Sequence, residues 1–219
     1  MRKAVLFDMD GVLFDSEQAV IDCWDPVAER YGIKDILPKL LACIGITEEA
    51  SARVFRDAYG EDFPYERYRK EVNERYRKMR AEGRLPMKPG VTEILSWLRE
   101  RKIPAAVASS GPQKHVAELL AMAGIDGCFQ AVIGGDMVKR GKPAPDCFLA
   151  AAEALGADPS ECIVIEDSYQ GVRAGHAAGM TVYMVPDLLP PTEESYQLAK
   201  AVLPSLCAVR KEIENGLSS

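Results

Sequence analysis

The chain has 219 residues, 47% of them hydrophobic, and a formal net charge of −6. That is enough apolar material for one well-buried core, or for a core carrying a smaller second lobe. The acidic balance gives no general attraction to a phosphate backbone or an anionic membrane, so neither nucleic acid nor membrane is an expected partner.

The N-terminus "MRKAVLFDMD" begins with basic residues, but Asp8 interrupts its apolar run too soon for a signal-peptide core, and no stretch approaches the length of a membrane span. Six cysteines (Cys23, Cys43, Cys128, Cys147, Cys162, Cys207) form no CxxC pair, and most sit in apolar periodic runs where a thiol simply packs. Reduced thiols in the cytoplasm are the expectation.

The first β-type run, "KAVLFD" (3 to 8), is followed by about seventy residues of helical pattern, far beyond an ordinary connection between strand and helix. Within that stretch Ala19, Val20, Cys23, Val27 and Tyr31 fall at helical spacing, with Pro26 expected to kink or interrupt the helix. Tyr65, Tyr68, Val72, Tyr76 and Met79 form a second stripe, read as packing of an amphipathic helix. The basic run "ERYRKEVNERYRKMR" is interleaved with glutamates and reads as a solvated face. "GRLPMKPG" (83 to 90) carries proline and glycine on both sides of a short run, as a hinge would. An inserted lobe over 16 to 85 is expected, between core segments 1 to 15 and 86 to 219.

Beyond the hinge, strand and helix alternate. The apolar runs "IPAAVAS" (103 to 109), "QAVIGG" (130 to 135), "CIVIED" (162 to 167) and "TVYMV" (181 to 185) suit strands covered on both faces. Val116, Leu119, Leu120 and Ala123 make a helical stripe that stops at Gly124, and Phe148, Ala151, Ala152 and Leu155 make one that stops at Gly156. The class is therefore α/β, a parallel sheet with right-handed crossovers.

Ligands of open α/β sheets bind at the carboxyl ends of the strands. Those ends carry Asp8 and Asp10 after the first run, Ser109 and Ser110 after the second, and Glu166 and Asp167 after the fourth. Lys142 follows the third, between Gly141 and Pro143. Carboxylates converging on one crevice repel each other unless a cation joins them, and oxygen-only ligands favour Mg²⁺ over zinc. Asp8 and Asp167 are the first choices as ligands, with Glu166 binding directly or through a water. A structural salt-bridge network is the alternative, disfavoured by the shared crevice. Lys142, a serine hydroxyl and the turn N–H groups at Ser110 and Gly111 can neutralise a phosphoryl group. An aspartate can attack phosphorus, and a second one two residues on can manage protons.

The four ordered motifs "DMDGVLFDS", "VASS", "GKPAPD" and "IEDS" resemble those of the haloacid dehalogenase-like hydrolase superfamily, in the branch with a helical cap inserted after the first motif that contains β-phosphoglucomutase and phosphoglycolate phosphatase. The resemblance implies a doubly wound, Rossmann-like core with a helical cap domain. It implies Asp8 as nucleophile, Asp10 as general acid/base, Ser109 as phosphoryl ligand and Lys142 as its stabiliser. Mg²⁺ would be held by Asp8, the backbone carbonyl of Asp10, Asp167 and Glu166. Asp10 argues against dehalogenation, since the dehalogenases proper lack an aspartate there. Asp15 and Ser16 match the pattern too, Ser16 as a cap of the first cap helix and Asp15 as a hinge residue.

Where the mutase branch uses a cap histidine and arginine, the corresponding positions carry Val20 and Glu48, and both histidines, His115 and His176, lie outside the lobe. The expectation is a phosphatase acting on a small phosphorylated metabolite, as a monomer, with a sugar-phosphate mutase as the alternative and a phosphate- or metal-responsive binding module as the non-enzymatic one. Glu17, Trp24, Thr47 and Tyr68 are candidate substrate contacts.

Overall fold

Short apolar runs with side chains buried on alternating sides can only be satisfied by cover on both faces, and that is what this chain builds. The computed structural model describes residues 4–44 and 48–217; Thr47 lies outside them. Strands β1 (Ala4–Phe7), β2 (Ala105–Ala108), β3 (Ala131–Ile133), β4 (Cys162–Glu166) and β5 (Thr181–Met184) fall inside the five apolar runs. A sixth, β6 (Ala201–Val202), lies outside them, because two residues are too few to show a period. The six strands pair in the order β3-β2-β1-β4-β5-β6, every pair parallel. Sequence order reverses between β1 and β4, so the switch-point crevice opens where Asp8 and Glu166 leave their strands.

The chain divides into two compact units. One ends at Phe14 and resumes at Met87; the other is Asp15–Pro86.

The helical unit contains α1 (Ser16–Tyr31), α2 (Leu37–Ala42), α3 (Glu48–Tyr59) and α4 (Tyr65–Ala81). Its interior is aromatic: Trp24 stacks on Phe55 with centroids 5.1 Å apart, and Phe55 meets Tyr65 at 5.0 Å. Pro26 does not interrupt its helix but lies inside an unbroken α1. The carbonyl it leaves without a donor belongs to Asp22, an exposed residue, so water can take the missing place. Ser16 does not cap α1 but is its first residue; Asp15 holds the N-cap position with no side-chain cap bond, and the Ser16 Oγ is buried without a partner.

In the other unit the sheet carries α5 (Val91–Glu100), α6 (Gln113–Met122), α7 (Asp146–Leu155), α8 (Tyr169–Ala177), α9 (Glu193–Leu198) and α10 (Leu206–Leu217). One face, with Leu6, Ala106, Val164 and Val182, packs against Phe148, Ala151 and Ala152 of α7 and Val172 and Ala174 of α8. The alternate residues Val5, Phe7, Val107 and Ile165 are buried as well, so the opposite face is also covered. Among the described residues no helix is long and apolar enough to cross a membrane.

Candidate active site

β1 and β4 continue their ladder one residue past β1, where the Asp8 N–H donates to the Ile165 carbonyl at 3.0 Å. Asp8 is thereby delivered to the crevice and left only 8% exposed. The chain then turns sharply, with the N–H groups of Leu13 and Phe14 both donating to the Met9 carbonyl. Gly11 sits in this turn at φ +74°, and a Cβ there would lie 2.2 Å from the Asp167 Oδ2. Only glycine satisfies both demands. Asp10 bridges to Phe14 in the same turn.

At the next strand end the Ser109 N–H donates to the Ile133 carbonyl, and its buried Oγ accepts the Gly111 N–H at 3.1 Å. Ser110 is exposed at the tip of this turn.

Lys142 is the electrostatic centre. Its side chain is 5% exposed and its ammonium donates to Asp8 Oδ1 and, at 2.7 Å, to Glu166 Oε1. The ammonium also lies 4.7 Å from the centroid of the Phe148 ring. The other Glu166 oxygen, Oε2, accepts the N–H groups of Asp167 and Ser168 at 2.8 Å each and the Ser168 hydroxyl at 3.0 Å. Ser168 in turn caps α8 by accepting the Gly171 N–H.

Carboxylate oxygens of Asp8, Glu166 and Asp167 all lie within 4.8 Å of one another. One lysine cannot balance them. Burial, reinforced by the charges of Glu166 and Asp10, pushes the Asp8 carboxyl up to about 8 despite Lys142. Burial likewise holds Asp167 well above the usual carboxylate range, aided by Glu166, Asp8 and Asp187. For Lys142, burial disfavours the ammonium, but Asp8 and Glu166 outweigh it and hold the group charged. Such crowding of buried acids is relieved by a further cation, and a donor set made only of carboxylate oxygens fits a hard divalent ion.

The structure thus gathers Asp8, Glu166, Asp167 and Lys142, with Ser109 at the neighbouring strand end. Of the candidate substrate contacts, Glu17 and Trp24 line a cavity of about 250 Å³ within the helical unit, together with Glu48 and Arg69. Glu48 and Arg69 pair there at 3.4 Å. Tyr68 does not join them; it packs on Tyr31 with centroids 4.4 Å apart. His115 and His176 are both exposed. Asp187, just beyond β5, is a further buried acid at a strand end, and "YMVPD" repeats the signature of an acid closing an apolar run. Arg69 gave no signal, being one of several arginines at helical spacing.

A parallel sheet with its switch point at β1 and β4, presenting buried acids and a shared lysine there, defines an α/β enzyme class whose carboxylate set is of the kind that suits a divalent cation. The chain belongs to the haloacid dehalogenase-like hydrolase family, whose profile matches residues 2–179. It is 34% identical over 181 residues to the phosphorylated carbohydrates phosphatase of Thermotoga maritima, a match spanning 81% of this chain and 82% of that protein. Fructose-1-phosphate phosphatase YqaB of Escherichia coli is 34% identical over 177 residues, or 80% of this chain and 92% of that one. Among solved structures, a HAD family hydrolase from Deinococcus radiodurans R1 with bound phosphate and sodium shares 29% identity at a TM-score of 0.83, covering 99% of this chain and 97% of that chain.

Proposed function

We propose that this hydrolase is a Mg²⁺-dependent phosphatase that cleaves a small phosphomonoester, a sugar phosphate or similar metabolite, through an aspartyl-phosphate on Asp8. The observation that carries this reading is the single lysine shared by Asp8 and Glu166 within an all-oxygen cluster, with a second aspartate two residues after the first. Asp8, Glu166 and Asp167, with the backbone carbonyl of Asp10, would hold the ion, which supplies positive charge to offset the phosphoryl oxygens.

An Asp8 carboxylate oxygen attacks phosphorus as the bond to the ester oxygen breaks, and Asp10 gives that leaving oxygen its proton. Asp10, now ionised, takes a proton from water, whose oxygen attacks phosphorus and releases inorganic phosphate and free Asp8. Lys142 aims Asp8 and, together with the ion, would keep it ionised. Ser109, with the N–H groups of Ser110 and Gly111, receives the phosphoryl oxygens. The helical unit is assigned the role of cap and the choice of substrate.

The test is a panel of phosphorylated metabolites, assayed for phosphate release with Mg²⁺ and with EDTA. Mg²⁺-dependent release that disappears in Asp8→Asn is the expected result. Release by that variant above background overturns the covalent route. Efficient conversion of β-glucose 1-phosphate to glucose 6-phosphate with catalytic glucose 1,6-bisphosphate overturns the phosphatase in favour of a mutase.

A further inference from the structure

Asp187 is an acid that the proposed chemistry does not use. It lies three residues beyond β5, the strand beside β4, at the same carboxyl edge that carries Asp167. Its side chain is only 6% exposed, and Oδ1 accepts from the Lys88 ammonium at 2.5 Å. Oδ2 is buried with no hydrogen-bond partner in the protein. Leaving one oxygen of a buried carboxylate without a donor destabilises a fold, so a group that persists in this state needs a donor from outside the chain. Its negative charge is felt at Asp167.

Lys88 holds Asp187 in place, and the Lys88 N–H donates to the Leu13 carbonyl at 2.9 Å. The pair is thus tied to the turn that carries Asp10.

We infer that Asp187 is a positioning residue for the divalent cation: its Oδ2 accepts a hydrogen bond from water carried by the ion that Asp8, Glu166 and Asp167 hold. Mg²⁺ keeps several of its waters, and acceptors behind those waters set its affinity. The inference rests on the divalent-cation reading of that cluster. Lys88 opposes the ion by charge while fixing the acid that serves it.

The test is calorimetric titration of substrate-free wild type, Asp187→Asn and Lys88→Gln with Mg²⁺ and with Ca²⁺. Asp187→Asn should weaken Mg²⁺ binding about 10–100-fold. Ca²⁺, which adapts its ligand shell more freely, should be weakened less. Lys88→Gln retains a donor for Oδ1 and removes a positive charge, so it should leave Mg²⁺ affinity unchanged or raise it. Unchanged Mg²⁺ affinity in Asp187→Asn, equal losses for both ions, or equal weakening by both substitutions overturns the inference and leaves the pair a structural bridge. If Asp187→Asn does not fold, Lys88→Gln decides: weaker Mg²⁺ binding overturns the inference, and unchanged or tighter binding supports it. A wild type that binds neither ion overturns the cation reading itself, and with it this inference.

Discussion

Glu166 binds Lys142 with one carboxylate oxygen, at 2.7 Å, and spends the other on the backbone of Asp167 and Ser168. The same residue therefore fixes the lysine and the start of α8. Glu166→Gln can satisfy only one side. With its carbonyl oxygen accepting from the Asp167 and Ser168 N–H groups, its NH₂ group is turned against the ammonium. Breaking a buried pair by neutralising one member costs about 3–5 kcal/mol, and the lower end is expected because Lys142 keeps Asp8. Urea unfolding in EDTA reads the loss, and phosphate release should fall with it.

Gly171 is the residue that lets Glu166 occupy its place. A Cβ on Gly171 would lie 1.6 Å from the Glu166 Oε1, so in Gly171→Ala the carboxylate must leave the lysine. We expect this variant to resemble Glu166→Gln in stability and activity. Adding Glu166→Asp, which withdraws the carboxylate by one methylene, should recover part of the stability, giving a coupling of about 0.5–3 kcal/mol in a double-mutant cycle. Additive losses would show that Gly171 acts elsewhere.

How far the sequence reveals such relationships depends on their range. Five strands were visible because near-continuous apolar runs with polar ends need only local reading, and Asp8 and Asp167 stood out because acids close those runs. The strand β6 was not visible, since Ala201 and Val202 form a strand only by pairing with Tyr183 and Met184. Pro26 reads as a helix breaker from the sequence, which does not show that Asp22 faces solvent. Gly171 reads as an ordinary helical glycine; its contact with Glu166 arises only when the short turn after β4 sets the first turn of α8 against the Glu166 carboxylate. Asp187 was legible in principle, but its buried, half-partnered state is a tertiary fact.

Asp10 is assigned proton transfer rather than attack, and this separates its variants from those of Asp8. Asp10→Asn should lower turnover of alkyl phosphates about 10²–10⁴-fold, since an alkoxide leaving group needs the proton. p-Nitrophenyl phosphate has a leaving group that departs without protonation, so formation of the aspartyl-phosphate should suffer far less. Rapid-quench measurement should find phosphorylated protein accumulating in this variant, because its breakdown still lacks a base. An equal loss on both substrates, with no phosphorylated protein, would move Asp10 out of the proton-transfer role.

The six cysteines are all free, and their burial sets an order of reactivity. Cys207 is exposed, Cys43 and Cys128 are half-buried, and Cys23, Cys147 and Cys162 are buried. Burial pushes the thiols of Cys147 and Cys162 from an ordinary 9.0 up to about 11, the neighbouring charges adding smaller effects. The thiolate is the reactive form, so at pH 8 both are protonated as well as shielded. Ellman's reagent should therefore label Cys207 quickly, Cys43 and Cys128 more slowly, and the other three only on unfolding. The linkage has a definite sign. A thiol whose folded pKa exceeds its unfolded value contributes stability that is fully present below about 9 and is lost as pH rises toward 11. Replacing Cys147 and Cys162 by alanine should accordingly flatten the fall in stability between pH 9 and 11, measured by urea unfolding, even as it lowers stability at pH 7 through lost packing.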